Sequence, residues 1–592
     1  MIVPMRKATI LVREGDAEAA VKDLRTMGVL HVEHQNPPEG RDVAAVQEKV
    51  ALIHAATDVL NRVLSQNRGL PPQKEIAGDW EAEARRIIEL GRRRDELESS
   101  TRSITGQILE WERWGDVDAV QVDHLRRNGV FLKLFRLPAT DLSSFPGDVV
   151  VKTVFTEGEM AHCVAISRRE FDFPFPEIPP PAQRVSLLKE RLAENGKAAD
   201  AIQAGIAAST GYAEALSGKE RELEQEIRFR QVVNGMGGEG PIRYVTGYIP
   251  DDMEERLTAE AKQRQWGILV TDPSDLDTVP TLLHNPRWAS LIEPVLRLLG
   301  LSPGYHELDV SPLFLIFFSL FFGILIGDAG YGLVYILLTF GIAAWLRRTD
   351  RLTPELKTTF TLFYLLGSCA VIWGILTGTF FGQEWVQSLG YQPPLPQLND
   401  AATMETFCFF LGALHLSLAH AWRILLKYPS LTALADVGYI CILWSAFFLA
   451  RTLILGADFP PLGLWLVAVG VALVVLFMNP QRNVLRGIGE GMGTIALSFM
   501  NNITDVISYV RLFAVGLAGL AIAETTNMLA SQFGTGVLAV VAGIVILIIG
   551  HTLNIILGLM SVLVHGVRLN VLEFSGHANV TWSGEAFEPL RE

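Results

Sequence analysis

"SYVRLFAVGLAGLAIAE", residues 508–524, is the stretch on which the reading of this chain turns. Arg511 stands among apolar and small residues, and a similar stretch precedes it. Runs of about 18 or more apolar residues read as membrane helices. A guanidinium at the centre of such a helix is disfavoured by about 3 kcal/mol on insertion scales. Arg511 is too deep to reach the head groups from either side, so it needs a function or an internal partner.

Working outward, the chain has 592 residues, of which 49% are hydrophobic. Its mean hydropathy is +0.28. That is too apolar for an ordinary soluble enzyme and too long for one domain. The formal charge of −14 averages two unlike halves. Residues 1–305 hold most of the charge, and residues 306–592 form a membrane domain of apolar runs separated by short polar loops. About eight spans are read, at 311–327, 331–346, 359–381, 403–422, 432–450, 461–478, 493–530 and 536–567. The last two exceed a perpendicular crossing, so they tilt or project from the bilayer.

Lys and Arg set the orientation. "MIVPMRKATILV" carries no secretory signal, which places residues 1–305 in the cytoplasm. The loops then inside are "RRTDRLTPELK", "RILLKYPS" and "NPQRNVLRG" (with Arg482 and Arg486). The outside loops "EWVQSLGYQPPLPQLND" and "SQFGTG" have no Lys or Arg, and a third carries only Arg451, so the pattern is consistent in every loop but one. The even count puts the C-terminal tail inside as well.

The soluble half reads as α+β. "MRKATILVREGDAEAAVKDLRTMGVLHVEHQ" is strand, helix, strand, with the helix closing at Gly28. "IRYVTGYIPDDMEERLTAEAKQRQWGILV", from residue 242, repeats the pattern. Together they predict one ferredoxin-like lobe from 1–36 plus 240–285. A second lobe is expected at 115–180, with strands near "GVFLKLFRL", "DVVVKTVF" and "AHCVAIS". Helical arms over 41–112 and 183–232 join the lobes. Val46, Val50, Ile53, Leu60 and Leu64 run out, with Ala84, Ile87, Ile104 and Ile108. Leu188, Leu192, Ile202, Ile206, Leu216, Leu223 and Ile227 return. This spacing of nearly 3.5 residues predicts an antiparallel coiled coil.

Several chemistries are excluded. "NGKAA" and "SGKER" lack the Ser/Thr and upstream Gly of a phosphate loop, and "GIGEGMG" (487–493) follows a membrane segment rather than a strand. The 4 cysteines contain no CxxC spacing, so neither zinc nor a disulfide framework is indicated. No catalytic residue, metal, cofactor or nucleic-acid partner is expected.

The last two spans carry polar faces. At 100° per residue, His551, Asn554, Gly558, Ser561, His565 and Arg568 fall within an arc of about 100°. Asn501, Thr504, Asp505 and Ser508 lie within about 120° of Arg511, on its inner side. Glu524 is about 140° away and faces an outer vestibule. Outward of Arg511, Ala514, Gly516, Ala518 and Gly519 allow another helix to pass closely. One polar patch reaches mid-membrane from each side, which suits two offset half-channels. Glu573, past Arg568, joins the half-channel candidates. Arg423, Arg451 and Arg568 stand at span ends, where snorkelling accounts for them by position. "GDAGYG" (327–332) is a tight turn that places Asp328 near the boundary.

"SYVRLFAVGLAG" resembles the arginine-bearing segment of subunit I of prokaryotic V/A-type rotary ATPases, the counterpart of subunit a of eukaryotic V-ATPases. The likeness covers nearly the whole chain. "GVLHVE", "PTLLHNPRWASLIEPVLRLLGL", "SPLFLIFFSLFFGILIGDAGYG", "GILTGTFFG" and "GVRLNVLEF" resemble further family segments in the same order. The resemblance implies a non-catalytic, static membrane subunit in a plasma membrane of bacterial or archaeal type. It implies proton or sodium passage against a rotating proteolipid ring (c/K/L type), coupled to ATP synthesis or hydrolysis in other subunits. Arg511 matches the family's essential arginine and Arg568 its second. Asn501 matches a polar position of the inside path. Peripheral-stalk subunits (E/G type) and the central-rotor collar subunit (C/d type) are the implied partners of the soluble arm. Gly519 and Gly558 stand where eukaryotic members have a His and an acidic residue, so those two roles are not carried over; Asn554, His551 and Glu524 are the candidates for the outside path. A secondary transporter, the main alternative, calls for internal repeats and broken helices. A membrane scaffold explains the stalk but not Arg511.

Overall fold

The computed structural model describes residues 2–65, 79–274, 276–349, 351–383, 390–478, 499–532 and 536–591. The loop bearing Arg482 and Arg486, "GIGEGMG", residues 493–498 of the seventh span, and parts of both lysine-free loops lie outside the described residues. The chain is α+β in its first half and helical in its second. In order it forms β1 (Met5–Arg13), α1 (Ala17–Met27), β2 (His31–Glu33), α2 (Arg41–Leu64), α3 (Trp80–Trp111), α4 (Ala119–Arg127), β3 (Phe131–Pro138), β4 (Val150–Glu157), β5 (Met160–Ser167) and β6 (Glu177–Ile178). Then come α5 (Val185–Ser209), α6 (Ala213–Asn234), β7 (Gly237–Glu239), β8 (Ile242–Pro250), α7 (Glu254–Gln263), β9 (Gly267–Thr271) and α8 (Glu293–Leu298). The apolar helices are α9 (Ser311–Ile326), α10 (Ala329–Arg348), α11 (Pro354–Thr377), α12 (Ala401–Lys427), α13 (Ala433–Leu455), α14 (Pro461–Phe477), α15 (Phe499–Ser531) and α16 (Val537–Ala578).

Two compact units divide the chain. The first comprises Met1–Leu11, Val29–Glu33 and Thr246–Pro589. Its sheet has the order β2-β8-β1-β9, that of a split-βαβ arrangement. β1 is antiparallel to β9, with Lys7 opposite Thr271, and β2 is antiparallel to β8, with His31 opposite Tyr248. Met5, Ala8 and Ile10 of β1 are buried. Lys7 Nζ donates to Asp277 Oδ1 at 2.7 Å. That hydrogen bond, with one from the Ser274 backbone, holds the Asp277 carboxyl down at about 2.

The second unit comprises Val12–Gly28, His34–Val245 and Leu590–Glu592. Gly28 closes α1 at φ 65°, in the left-handed region that glycine tolerates best. Val46, Ile53 and Leu60 of α2, Ala84 and Ile87 of α3, Ile206 of α5 and Leu216 and Leu223 of α6 form one buried core. Farther along α3, Ile104 and Ile108 bury against Leu188 and Leu192. These are the residues whose spacing marks the seams. A four-stranded sheet of order β4-β5-β3-β6 follows α4. Phe135 at its centre packs with Phe145, Phe171 and Phe173.

Six of the apolar helices are long enough to cross a membrane; α9 and α14 are shorter. Phe314, Phe318, Phe321 and Phe322 of α9 are buried, with Phe409 and Tyr509 in the same core. α10 and α11 approach at Gly374, where an added Cβ would lie 2.0 Å from the Ala329 nitrogen. By contrast, Ile548, Ile549, Leu553 and Ile556 of α16 are exposed, as a lipid- or protein-facing helix requires.

One difference from the sequence reading affects the site. α16 changes to π-helical winding over Val562–Gly566 and again over Leu569–Phe574. A projection at 100° per residue therefore holds only as far as Ser561. Beyond it, His565, Arg568 and Glu573 take directions that α-helical geometry does not give.

Candidate functional site

Arg511 is the second residue of the long uninterrupted run of α15, which starts at Val510 after a turn at Tyr509. Tyr509 is fully buried and its hydroxyl is 2.8 Å from His415 Nδ1 of α12, which fixes the backbone on one side of Arg511. Arg511 Nη2 donates to Glu573 Oε1 at 3.0 Å. Ser508 Oγ donates to the same oxygen at 3.1 Å. Arg568 Nε lies 3.6 Å from it. The Glu573 side chain is 5% exposed, while that of Arg568 is 52% exposed. Two guanidinium groups thus share one buried carboxylate, and the trio carries one net positive charge. Among the described residues, Arg511 Nη1 and Glu573 Oε2 have no partner.

At the Asp505 end of α15 lies a cavity of about 370 Å³. Asn501, Asp505 and Glu573 line it, together with His420, Asp436 and His577. His420 Nδ1 is 3.0 Å from Asp436 Oδ1, and His420 Nε2 is 3.0 Å from His577 Nδ1. His577 Nε2 is 3.1 Å from Asp505 Oδ2. Arg423 Nε is 3.3 Å from Asp436 and its Nη1 donates to the His577 carbonyl at 3.0 Å. Lys427 Nζ donates to Asp436 Oδ2 at 2.6 Å. Arg423 therefore turns inward to a buried carboxylate; it does not snorkel, because Asp436 offers a stronger partner than the interface.

At the Glu524 end lies a separate cavity of about 270 Å³, bordered by Asp328, Tyr331, Gln383, Asn399 and Glu524. Asp328 accepts from Tyr331 N at 3.1 Å and from Gly382 N at 2.8 Å. A third cavity of about 320 Å³ lies between α15 and α16 and reaches Asn554 and Ser561. Asn554 Nδ2 donates to the Tyr331 hydroxyl at 3.0 Å and to the Gly519 carbonyl at 2.8 Å. The same hydroxyl is 2.7 Å from His551 Nδ1.

The residues singled out from sequence thus fall into groups. Asn501, Asp505 and Glu573 share one cavity, and Ser508 reaches Glu573. Glu524 borders another, with Asp328. His551 and Asn554 meet at the Tyr331 hydroxyl, and Tyr331 borders the same cavity as Glu524. His565 meets none of these groups: its Nδ1 is buried without a partner among the described residues. Missed altogether were His420, Asp436 and His577. A signal existed: His420, Arg423 and Lys427 fall at i, i+3 and i+7, one face of α12. Elsewhere, His54, Glu220 and Glu224 bring their ligand atoms within 4.8 Å of one another on the arms. The 2.8 Å His54–Glu220 pair on an exposed surface accounts for that grouping.

Fold and site together define a polytopic membrane protein with a large α+β soluble half and a buried cluster of charge where its last two helices meet. No family model matches the chain. It is 30% identical over 636 residues to "V-type ATP synthase subunit I 1" of Treponema pallidum, covering 100% of both chains. It is 28% identical over 626 residues to "V-type ATP synthase subunit I" of Borreliella burgdorferi, again covering 100% of both. "A-type ATP synthase subunit I" of Methanocaldococcus jannaschii is 23% identical, over 59% of this chain and 55% of that one. A crystal structure of the cytoplasmic N-terminal domain of subunit I matches 45% of this chain at 14% identity with a TM-score of 0.22, too low to bear on the fold. The chain belongs to the V-type ATP synthase subunit I family.

Proposed function

We propose that this chain is the static ion-translocating subunit of a V/A-type rotary ATPase or ATP synthase. Its membrane half forms two offset half-channels against a rotating ring of proteolipid subunits. The observation that carries the reading is the position of Arg511 between two separate polar cavities. One is bounded by the Asp505 end of α15 and the ends of α12 and α16. The other is bounded by the Glu524 end of α15, the α9–α10 turn and the start of α12. By the distribution of Lys and Arg, the first opens inward and the second outward.

The physics fits. A ring carboxylate in lipid stays protonated, because burial disfavours its charge. Near a permanently charged guanidinium the charged form is favoured and the ion leaves. The net positive charge of the Arg511–Arg568–Glu573 trio supplies that field. It also opposes direct passage of a cation between the cavities. The membrane potential adds about 2.3 kcal/mol per charge per 100 mV.

Residues 1–305 act as a stator arm on this reading. The lobes at 1–36 plus 240–285 and at 115–180 hold peripheral-stalk subunits, and the arms at 41–112 and 183–232 set the distance between them. A central-rotor collar subunit approaches the same half. The chain itself carries out no ATP chemistry. It sits in the plasma membrane of a bacterium or archaeon, with both the N-terminal half and the C-terminus inside.

The test is ion pumping in vesicles carrying the whole complex, with Arg511→Ala and Arg568→Ala beside wild type and assembly verified on the same samples. Loss of coupled transport in Arg511→Ala with an intact complex supports the reading. Near-normal transport in that variant overturns it.

A further inference from the structure

Beyond Ala578 the chain returns to the sheet of the first unit. A segment past the last helix is ordinarily mobile unless tied down; this one is tied along its length. Gly584 N donates to the Ser302 carbonyl at 3.1 Å, Thr281 N to the Glu585 carbonyl at 2.7 Å and Phe587 N to the Thr281 carbonyl at 3.0 Å. Phe587 packs with Met5 of β1 and Tyr248 of β8. Glu588 N donates to His31 Nδ1 of β2 at 3.0 Å. Gly584 passes so closely that an added Cβ would lie 2.1 Å from the Pro303 carbonyl oxygen. Residues 579–588 thus form a strap from the end of α16 to the soluble sheet.

Trp582 is where the strap grips the helix. Its φ is 56°, in the left-handed region that a bulky side chain enters only when its surroundings require it. The indole Nε1 donates to Ser575 Oγ at 2.8 Å, and the ring stands edge-on to Phe314 of α9 with centroids 6.2 Å apart. Ser575 Oγ in turn donates to the Asn570 carbonyl at 2.8 Å, and Asn570 Nδ2 donates to the Gly566 carbonyl at 2.9 Å. Ser575 and Asn570 are both fully buried. A line of hydrogen bonds therefore runs from the strap along the buried side of α16.

That line crosses the segments in which the charged trio is assembled. Gly566 closes the first π-helical segment and Asn570 lies in the second. Arg568 stands between the segments and Glu573 lies in the second. π winding is rare and occurs mostly as single turns. Two such segments in succession need support from outside the helix backbone. The line supplies it, with a side-chain donor on one carbonyl of each segment.

We propose that Trp582 is a positioning residue for ion translocation, acting through Ser575 and Asn570 rather than on the ion itself. It holds the winding of 562–574 and so keeps Glu573 against Arg511 and Arg568. The strap fixes the same end of α16 to the soluble sheet, so the charged trio is set from the soluble side as well as from within the membrane. When the line is broken, α16 relaxes toward α-helical winding and Glu573 swings away from Arg511. The proposal rests on the translocation reading given above, on which a rotor carboxylate then meets an arginine without its counter-ion.

The experiment uses inside-out vesicles carrying the whole complex, energised with ATP, with ion uptake followed by a pH dye and by radioactive sodium. Trp582→Phe keeps a ring against Phe314 and removes the N–H. It is expected to assemble, yet to lower uptake about tenfold. Ser575→Ala is expected to do the same from the other side of the bond, and carries the test if Trp582→Phe does not assemble. Combined with Glu573→Gln, either variant is expected to add no further loss, because both act on one arrangement; a structural role elsewhere would multiply the two losses. Hydrogen exchange at the amides of 569–574 is expected to quicken about tenfold in either variant. Wild-type uptake in both variants overturns the proposal, as does a loss that multiplies with that of Glu573→Gln, or unchanged exchange. Arg511→Ala is measured beside them. Wild-type uptake by Arg511→Ala in an intact, ATP-hydrolysing complex removes the translocation reading itself; loss in Arg511→Ala with normal uptake in Trp582→Phe and Ser575→Ala removes only the positioning role.

Discussion

Arg511 and Glu573 stand 62 positions apart in the chain and are joined by a 3.0 Å ion pair. The arginine that marks α15 as unusual therefore does not wait in apolar surroundings for an external partner. It has an internal counter-ion, shared with Arg568. On the proposed reading, a rotor carboxylate arriving at Arg511 competes with Glu573, and that competition keeps the arginine from holding any one rotor group too tightly.

Glu573→Gln is expected to destabilise the membrane domain by about 3 kcal/mol, because it leaves a partly buried guanidinium without its partner. It is also expected to slow coupled transport about tenfold, the equivalent of about 1.4 kcal/mol in a barrier. Glu573→Asp keeps the charge and is expected to retain more of both. Thermal melting and ATP-driven transport on the same preparation check this. Equal transport in Gln and wild type speaks against competition at Arg511.

Asp328 holds two backbone amides, Tyr331 N and Gly382 N, with its two carboxylate oxygens. The first caps α10; the second ties the turn after α11 to the start of α10. Asp328→Ala loses both and is expected to lower stability by about 1–2 kcal/mol. Asp328→Asn keeps one acceptor and should fall between. Melting temperature of the purified complex in detergent reads the order; alanine melting at the wild-type temperature contradicts the double tie.

Gly374 and Gly341 offer a matched comparison. A Cβ on Gly374 would meet the Ala329 backbone at 2.0 Å, whereas Gly341 faces open space. Gly374→Ala is expected to push α10 and α11 apart and cost about 1–3 kcal/mol. Gly341→Ala is expected to be neutral or slightly stabilising, as alanine favours a helix over glycine. Yields of assembled complex and melting temperatures distinguish them.

Glu307 fastens the C-terminal tail. Its Oε1 accepts from Thr581 N at 2.7 Å, and its Oε2 from Gly304 N at 2.7 Å. Burial alone would raise its titration point; the hydrogen bonds from the Thr581 side chain and from the Gly304, Thr581 and Trp582 backbones outweigh burial and hold it below the usual carboxylate range. A depressed folded value means the stabilisation is complete above about pH 4.3, the unfolded value, and fades as pH falls through the lower folded one. The melting difference between wild type and Glu307→Gln is therefore expected to be constant near neutral pH and to shrink below about pH 4. A difference that grows on acidification contradicts this assignment.

Much of the architecture is legible in the sequence because it depends on spacing. Ile53, Leu60, Ile206 and Leu216 are fully buried in the arms, and a repeat of about 3.5 residues locates such positions without coordinates. The apolar runs likewise mark the membrane helices. The site is less legible. Asp505, Ser508 and Arg511 are close in sequence on α15, so a projection by angle per residue groups them despite the turn at Tyr509. Glu573 cannot be oriented that way, since the winding of α16 changes twice before it. His420 and His577 touch from 157 positions apart. No local pattern joins them.

The two π-helical segments of α16 also bear on how such a site arises. In an α-helix, Arg568 and Glu573 point about 140° apart; with i→i+5 bonding they come onto one side. Point substitutions can exchange the side chains on this helix, but they do not alter its count of residues per turn in a directed way. Insertion or deletion of a single codon does. The meeting of Glu573 with both arginines is thus expected to change abruptly between lineages with length differences in residues 562–574, while sequences of unchanged length in that segment can vary widely and keep it.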